Sequence, residues 1–129
     1  MNLPIKPTDS ELEILQVIWE NGPTTVRQIN DLLNQKRTVG YTTTLKLLQI
    51  MAQKGIVSVD KSQRQHIYDA RLNQDETQLR LIDQFLETTF GGSAKKLVMQ
   101  VLGNKKPGKR ELDEIKALIN RLEGGEHES

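Results

Sequence analysis

The sequence predicts a mainly α-helical protein with one small β-hairpin, and three observations lead to this fold class. Apolar residues recur at helical spacing in three segments before residue 55. Residues 56–70 then alternate between apolar and polar side chains on both sides of a short polar stretch, which is typical of a hairpin. Further apolar stripes of helical spacing follow, and glycine-containing breaks separate them.

The composition excludes several kinds of protein. The chain has 129 residues, 27% of them charged, a formal net charge of +1 and no cysteine. This length suits one domain, or one small domain with an appended oligomerisation segment. The lack of cysteine excludes disulfides, thiolate metal sites and cysteine nucleophiles. No apolar run is long enough to span a membrane and the N-terminus lacks the apolar stretch of a signal peptide, so we expect a cytoplasmic protein with no metal or cofactor.

The first two helices are marked by threonine caps. Thr8 and Glu11 fit a capping box at the start of a helix over residues 9–20, which a glycine-proline pair ends. Thr24 or Thr25 can cap a second, shorter helix with a clear apolar face. The chain therefore opens with two helices joined by a tight turn.

A third helix and the hairpin complete an N-terminal domain. This helix begins near Tyr41 or Thr42 and ends at Gly55, a residue type that commonly follows the last helical turn. Strands are predicted on both sides of the polar tip at residues 61–64. Three helices followed by a hairpin form the element order of a winged helix-turn-helix, which we assign to residues 1–72.

The C-terminal part, residues 73–123, is predicted to be a helical dimerisation domain, with a disordered tail at 124–129. Its apolar stripes could pack back onto the N-terminal domain. However, that domain already accounts for its own core, and pairing with the same segment of a second chain would bury the stripes better. The expected homodimer residues are Leu79, Ile82, Phe85, Leu86, Leu97, Val98, Val101, Leu112, Ile115, Ile119 and Leu122.

The opening turn of the third helix carries three adjacent threonines, Thr42, Thr43 and Thr44. Threonine is a poor choice inside a helix because its side chain loses rotamer freedom there. At a helix N-terminus its hydroxyl can cap backbone N–H groups or donate to phosphate oxygens and base edges. Since this turn of a recognition helix enters the major groove of DNA, we expect it to contact DNA. A capping segment without a ligand is the alternative.

Basic residues are concentrated around the third helix and the hairpin. Residues 34–71 hold seven Lys and Arg against two Asp, a net charge of +5. Arg64 and His66 lie at or beside the hairpin tip, where a wing needs donors for phosphates. A solvated, charged surface is the alternative for this stretch, and His66 is expected to be a surface or packed residue rather than a metal ligand.

The sequence contains no motif of a catalytic site. Its carboxylates fall near predicted helix starts, where capping and the helix dipole explain them. A glycine-rich phosphate loop, GxSxG and HExxH are all absent. We therefore predict no enzymatic activity and no small-molecule substrate. An alternative to DNA binding is a winged-helix module that binds another protein, and a shift with bulk DNA at low salt would discriminate the two.

Five segments in a fixed order carry a family resemblance. They are ELEILQVIW at 11–19, TVRQI at 25–29, YTTTL at 41–45, KGIV at 54–57 and, after Phe85 and Leu86, FGGS at 90–93. In this order and spacing the chain, from about Pro7 to Leu122, resembles the BlaI/MecI/CopY family of bacterial repressors, the penicillinase repressors.

The resemblance implies a homodimer that binds a palindromic double-stranded DNA operator and represses transcription. It implies that DNA contacts come from the recognition helix, from the wing and from the start of the second helix, which would face the DNA backbone. In that order the residues are Tyr41, Thr42, Thr43, Thr44 and Lys46, then Arg64 and His66, then Thr24, Thr25 and Arg27.

The resemblance also implies a second partner, a membrane metalloprotease sensor whose signal leads to cleavage within the dimerisation segment. In the penicillinase repressors the cut falls at an Asn-Phe bond, and the matching position here is Gln100-Val101, which departs from that pair. The copper-responsive branch binds its metal through C-terminal cysteine pairs. This chain has no cysteine, so copper sensing through thiolates is not expected.

Overall fold

The computed structural model describes residues 6–124, which form six α-helices and three short strands. The fold class predicted from the sequence is confirmed, because the chain is mainly helical with one small antiparallel sheet. The predicted tail beyond Gly124 lies outside the described residues. The elements are α1 (Asp9–Asn21), β1 (Thr24–Thr25), α2 (Val26–Leu33), α3 (Tyr41–Lys54), β2 (Val57–Asp60), β3 (Ile67–Ala70), α4 (Gln74–Phe90), α5 (Ala94–Lys105) and α6 (Lys109–Glu123).

The chain divides into two compact units, and the division falls inside α4, after Leu81. We predicted a division before this helix, between residues 72 and 73. The segment just before α4 is bound to the first unit, because the Trp19 indole Nε1 donates a hydrogen bond to the carbonyl oxygen of Leu72 at 3.1 Å. Thr77, in the first turn of α4, is also buried. The start of α4 is therefore part of the N-terminal unit.

Local hydrogen bonds explain where the first two helices begin. The backbone N–H of Glu11 donates to the Thr8 hydroxyl at 3.2 Å, and the Glu11 carboxylate accepts from the Thr8 N–H at 2.9 Å, so the predicted capping box is confirmed. Thr25 and Gln28 form the same reciprocal pair at the start of α2. Both boxes satisfy N–H groups that the first helical turn leaves without partners.

The core of the first unit lies between α1, α2, α3 and the sheet. Burying each large aliphatic side chain stabilises the fold by about 1.5–3 kcal/mol, so this cluster supplies most of the unit's stability. The buried apolar residues are Ile14, Leu15, Ile18, Val26, Ile29, Leu33, Val39, Leu48, Met51, Ile56, Val57 and Tyr68.

The sheet has a strand that the sequence did not predict. Its order is β1-β3-β2, with both neighbouring pairs antiparallel, and Thr24 lies opposite Tyr68. The predicted hairpin is β2 and β3. The added strand β1 is only two residues long, too short to show an alternating pattern, and its pairing depends on a partner more than forty positions away.

The second unit is helical and has no buried residue among positions 82–124. Gly91 and Gly92 adopt positive φ angles of 59° and 85°, which ends α4, and the Ser93 hydroxyl then accepts from the Lys96 N–H and caps α5. The next break begins only after Lys105, because α5 continues through Gly103.

A buried carboxylate joins the start of α1 to the end of α3. The Glu11 side chain is 2% exposed, and its Oε2 accepts a hydrogen bond from Lys54 Nζ at 2.8 Å. Burial alone would raise the pKa of Glu11, but the hydrogen bonds from Lys54 and Thr8 and the charge of Lys54 outweigh burial and hold this pKa below its ordinary value of 4.5. The ionised form of Glu11 therefore stabilises the fold.

We predict that Glu11→Gln lowers the free energy of unfolding by about 1 kcal/mol at neutral pH, because the variant loses the charge that pairs with Lys54. Since the folded-state pKa is lowered, this contribution is complete above pH 4.5 and is lost as the pH falls through the folded-state value. Urea unfolding followed by Trp19 fluorescence, at about pH 7 and about pH 3, measures the difference.

Glu13→Gln is the matched control. Glu13 pairs with Arg37 at 2.6 Å on the surface, where an ion pair contributes little to stability. If the two variants lose equal stability at neutral pH, or if the Glu11→Gln deficit persists unchanged in acid, the buried pair does not have the assigned role.

Candidate nucleic-acid interface

A groove of about 810 Å³ lies between α3 and the β2–β3 hairpin, which we call the wing. α3 and the wing line most of the groove, and the start of α2 also contributes lining residues. The lining residues are Tyr41, Leu45, Gln49, Ala52 and Gln53 from α3, Val59, Lys61, Arg64, Gln65, His66 and Tyr68 from the wing, and Thr25, Val26 and Arg27 from the start of α2.

The charge of the groove has one sign. Arg27, Lys61 and Arg64 line it, and no Asp or Glu is among its described lining residues. Cations without neighbouring carboxylates produce a positive potential that a concave, partly apolar surface focuses. The groove is therefore complementary to an anionic ligand such as a phosphate backbone.

The start of α2 is fixed against the start of α3 by an aromatic contact. The Arg27 guanidinium lies 5.1 Å from the centre of the Tyr41 ring, within the range of a cation–π interaction. Burial and the nearby Tyr41 raise the pKa of Tyr68, which also lines the groove. These contacts position Arg27 and Tyr41, two of the predicted site residues, at the rim of the groove.

The exposed face of α3 carries most of the predicted recognition residues. Thr42, Thr43 and Lys46 are exposed, as the prediction requires. Gln49 and Gln53 continue the line of Thr42 and Lys46 at helical spacing and also line the groove, but our sequence analysis missed them. Their signal was present, because polar residues at these positions face away from the apolar side of the helix.

Two of the predicted DNA-contact residues have buried side chains, which the sequence analysis did not expect. Thr44 is 0% exposed, and its hydroxyl accepts a hydrogen bond from Asn30 Nδ2 at 2.8 Å. Thr24 is 5% exposed, and its hydroxyl donates to Gln28 Oε1 at 2.5 Å. Thr25 is half-buried and lines the groove, although its main bond is the cap of α2.

The wing presents its predicted residues at the surface. Arg64 and His66 are exposed and line the groove, together with Lys61. Hydrogen bonds from the hydroxyl and the N–H of Ser62 lower the pKa of Asp60 and bind its carboxylate within the turn. The wing tip therefore directs cations, and not its one carboxylate, toward the groove.

The predicted dimerisation residues are exposed or half-buried within the single chain. Seven of them are exposed, Leu86, Leu97, Leu112 and Ile115 are half-buried, and the sequence analysis missed two further exposed apolar residues, Met99 and Leu118. The exposed predicted residues, 44–61% accessible, are Leu79, Ile82, Phe85, Val98, Val101, Ile119 and Leu122.

The Gln100-Val101 bond lies inside α5, and both side chains are exposed. The Gln100 side chain accepts a hydrogen bond from Asn104 Nδ2 at 3.0 Å, one helical turn later. The Gln100-Val101 peptide bond is therefore part of the helical backbone of α5.

The described residues 6–124 lack two other features, a metal site and a membrane-spanning helix. No group of three His, Cys, Asp or Glu side chains in this part of the chain is arranged to hold a metal ion. Over the same residues, no helix is both long enough and apolar enough to cross a membrane.

Comparison with known proteins places the chain among repressors. The family model described as penicillinase repressor matches residues 7–121. The penicillinase repressor of Staphylococcus aureus is 21% identical over 121 residues, covering 94% of this chain and 96% of that protein. The transcriptional regulator BlaI of Mycobacterium tuberculosis is 28% identical over 119 residues, covering 91% and 85%.

A solved structure supports the fold of the first unit. The solution structure of the DNA-binding domain of the repressor BlaI superposes with a TM-score of 0.51 at 22% sequence identity. The match covers 59% of this chain and 93% of that domain. The likeness shows that the two chains share a fold.

We predict that the same substitution at two threonines of α3 changes the free energy of unfolding by very different amounts. Thr44→Ala should lower the free energy of unfolding by about 1–3 kcal/mol, because it leaves a buried amide without one acceptor and opens a small cavity. Thr42→Ala, on the exposed face, should change it by less than about 0.5 kcal/mol. Urea unfolding followed by Trp19 fluorescence measures both. Equal losses would show that Thr42 is also a structural residue.

Proposed function

The chain belongs to the penicillinase repressor family, and we propose that it is a dimeric repressor that binds a palindromic DNA operator and blocks transcription. The observation that carries the proposal is the groove between α3 and the wing, which has cations and no described carboxylate in its lining. The exposed polar face of α3 lies beside it. Repressors are not an enzyme class, and the family membership agrees with the lack of catalytic motifs in the sequence.

The exposed face of α3 supplies the base contacts. A helix fits the major groove, and the hydroxyls of Thr42 and Thr43 lie in the turn that enters it first. Gln49 offers an amide, which pairs with adenine through two hydrogen bonds, and Lys46 offers a donor for guanine or phosphate. Thr44 has no part in this readout, because it is buried.

The wing and the start of α2 supply contacts to the phosphate backbone. Three cations line the groove, Lys61 and Arg64 on the wing and Arg27 at the start of α2. His66 and Thr25 add donors on the same surface. These contacts give affinity that depends on salt and carries no sequence information by itself, whereas α3 selects the site.

Dimerisation follows from the apolar residues of the C-terminal helices. Leu112, Ile115, Ile119 and Leu122 recur along α6 at intervals of three and four, the spacing of a helix-pairing seam. A two-fold symmetric pair would present two α3 helices to half-sites about 34–36 Å apart, or a multiple of that distance, on a palindrome. The bound dimer would block the promoter sterically.

Relief of repression by proteolysis belongs to the same proposal. The sensor partner would be a membrane metalloprotease, and the cut would fall at Gln100-Val101. Because this bond lies within α5, the helix has to unwind locally before a protease can hold the chain in extended form. A repressor must be in the same compartment as the DNA that it binds, so we place this protein in the cytoplasm.

We predict that the protein shifts DNA from upstream of its own gene in the presence of unrelated competitor DNA. Lys46→Ala and Arg64→Ala should each weaken binding and reduce the slope of log affinity against log salt by about 1, because each removes one phosphate contact. Mobility shifts at several salt concentrations measure the slope.

Arg121→Ala is the matched control for the salt series, since it removes one exposed cation from α6 and leaves the groove intact. Its slope should equal that of the wild type. A wild-type protein that binds no DNA even at low salt would refute the proposed function. Unchanged slopes in both the Lys46 and the Arg64 variant would show that neither residue neutralises phosphate.

We predict that Ile119→Asp dissociates the dimer, because a charge in the apolar seam cannot be desolvated without a partner. Asn120→Asp adds the same charge at the next exposed position of α6 and should leave the dimer intact. Sedimentation equilibrium at micromolar concentration measures the dissociation constant of each. A monomeric wild type, or equal effects of the two variants, would contradict the assignment of α6 as the seam.

A further inference from the structure

A buried amide joins α2 to the start of α3. The Asn30 side chain is one of the few buried polar groups of the first unit. Its Nδ2 donates to the carbonyl oxygen of Val39 at 3.1 Å and to the hydroxyl of Thr44 at 2.8 Å. One amide on α2 therefore holds a residue before α3 and a residue in the first turns of α3.

A second asparagine completes the connection. Asn34 Nδ2 donates to the Val39 carbonyl at 2.8 Å, and Asn34 Oδ1 accepts from the Val39 N–H at 3.1 Å. Asn34 Nδ2 also donates to the backbone carbonyl of Asn30 at 2.7 Å. Both backbone polar groups of Val39 are thus bound by side chains, and the Val39 side chain is itself buried in the core. We call Asn30, Asn34, Val39 and Thr44 the asparagine clamp.

Two residues of the clamp flank, in the chain, the residues that we propose to contact DNA. Val39 and Thr44 lie on either side of Tyr41, Thr42 and Thr43 in the chain. No side chain caps α3, because Gly40 occupies the cap position. The first turn of this helix therefore depends on the clamp for its position, and not on a local cap of the kind that begins α1 and α2.

From this arrangement we propose that Asn30 and Asn34 are positioning residues for DNA recognition. They do not touch DNA, and they set the register and angle at which the first turn of α3 meets base edges. The inference rests on the proposed function. Base reading requires donors held within a few tenths of an ångström of the productive geometry, whereas attraction to phosphates tolerates looser placement. Loss of the clamp should therefore reduce specific binding and spare nonspecific binding.

The test uses Thr44→Val with Thr44→Ser as its matched control. Valine keeps the shape of threonine and removes the oxygen that accepts from Asn30, whereas serine keeps that oxygen. We expect the valine variant to bind the operator about tenfold more weakly, with bulk-DNA affinity and salt slope unchanged. The serine variant should keep the wild-type preference for the operator. The operator is the footprinted sequence upstream of the gene, and Trp19 fluorescence establishes that each variant is folded at the assay temperature.

A second measurement needs no DNA. Amide hydrogen exchange of residues 41–44 should be faster in the valine variant than in the wild type and the serine variant, because the first turn of α3 is less well held. Asn34→Ala, at an exposed position, provides a second variant with the same expected pattern if Thr44→Val fails to fold.

The outcomes separate this inference from the proposed function. A folded valine variant, or a folded Asn34→Ala variant, that keeps the wild-type preference for the operator would overturn the positioning role and leave the repressor function standing. Equal loss of operator and bulk-DNA affinity would also overturn it, because the role predicts loss of selectivity. A wild-type protein that binds no DNA would overturn both.

Discussion

The amide of Asn30 lies inside the winged-helix unit, where leaving it without partners would cost about 1–3 kcal/mol. In the folded unit this amide donates to both the Val39 carbonyl and the Thr44 hydroxyl, which ties the start of α3 to α2. No described buried side-chain nitrogen or oxygen lacks a hydrogen-bond partner. The apolar core tolerates small adjustments of helix position, whereas a buried amide does not, so the site on the far side of α3 inherits its geometry from this bond.

Burial assigns different roles to residues of the same chemical type. Thr44 faces the core and bonds to Asn30 of α2, whereas Thr42, two positions earlier, faces solvent, where we propose that it contacts DNA. Glu11 and Glu13 differ in the same way, because Glu11 is buried against Lys54 and Glu13 pairs with Arg37 at the surface. One face of α3 packs into the core, so only the opposite, exposed face can form the proposed DNA-binding surface.

The two units meet the requirement to bury apolar surface in different ways. The first unit closes its own core between three helices and a sheet and leaves its polar groove open. The second unit buries none of its described residues and exposes large apolar side chains such as Phe85 and Ile119. The proposed dimer would bury these side chains, and the proposed palindromic operator would require two copies of the chain.

By itself, the sequence determined what depends on neighbours a few positions apart. The capping box at Thr8, the glycine stop at Gly55, the β2–β3 hairpin and the break before Ser93 all follow from side chains within one or two turns of one another. The order of such segments was also enough to identify the family. Residues of α3 were assigned to DNA as a group, because local pattern does not say how deeply one threonine is buried.

Only the tertiary structure decided which of those residues reach the surface. The third strand at Thr24 and Thr25, the burial of Thr44, the asparagine clamp and the groove all depend on partners far apart in the chain, from Asn30 with Thr44 to β1 with β3. Helical periodicity predicts which face of a segment is apolar, but it does not identify what packs against that face. That information exists only once the chain has folded, because burial and hydrogen-bond pairing are properties of two surfaces in contact.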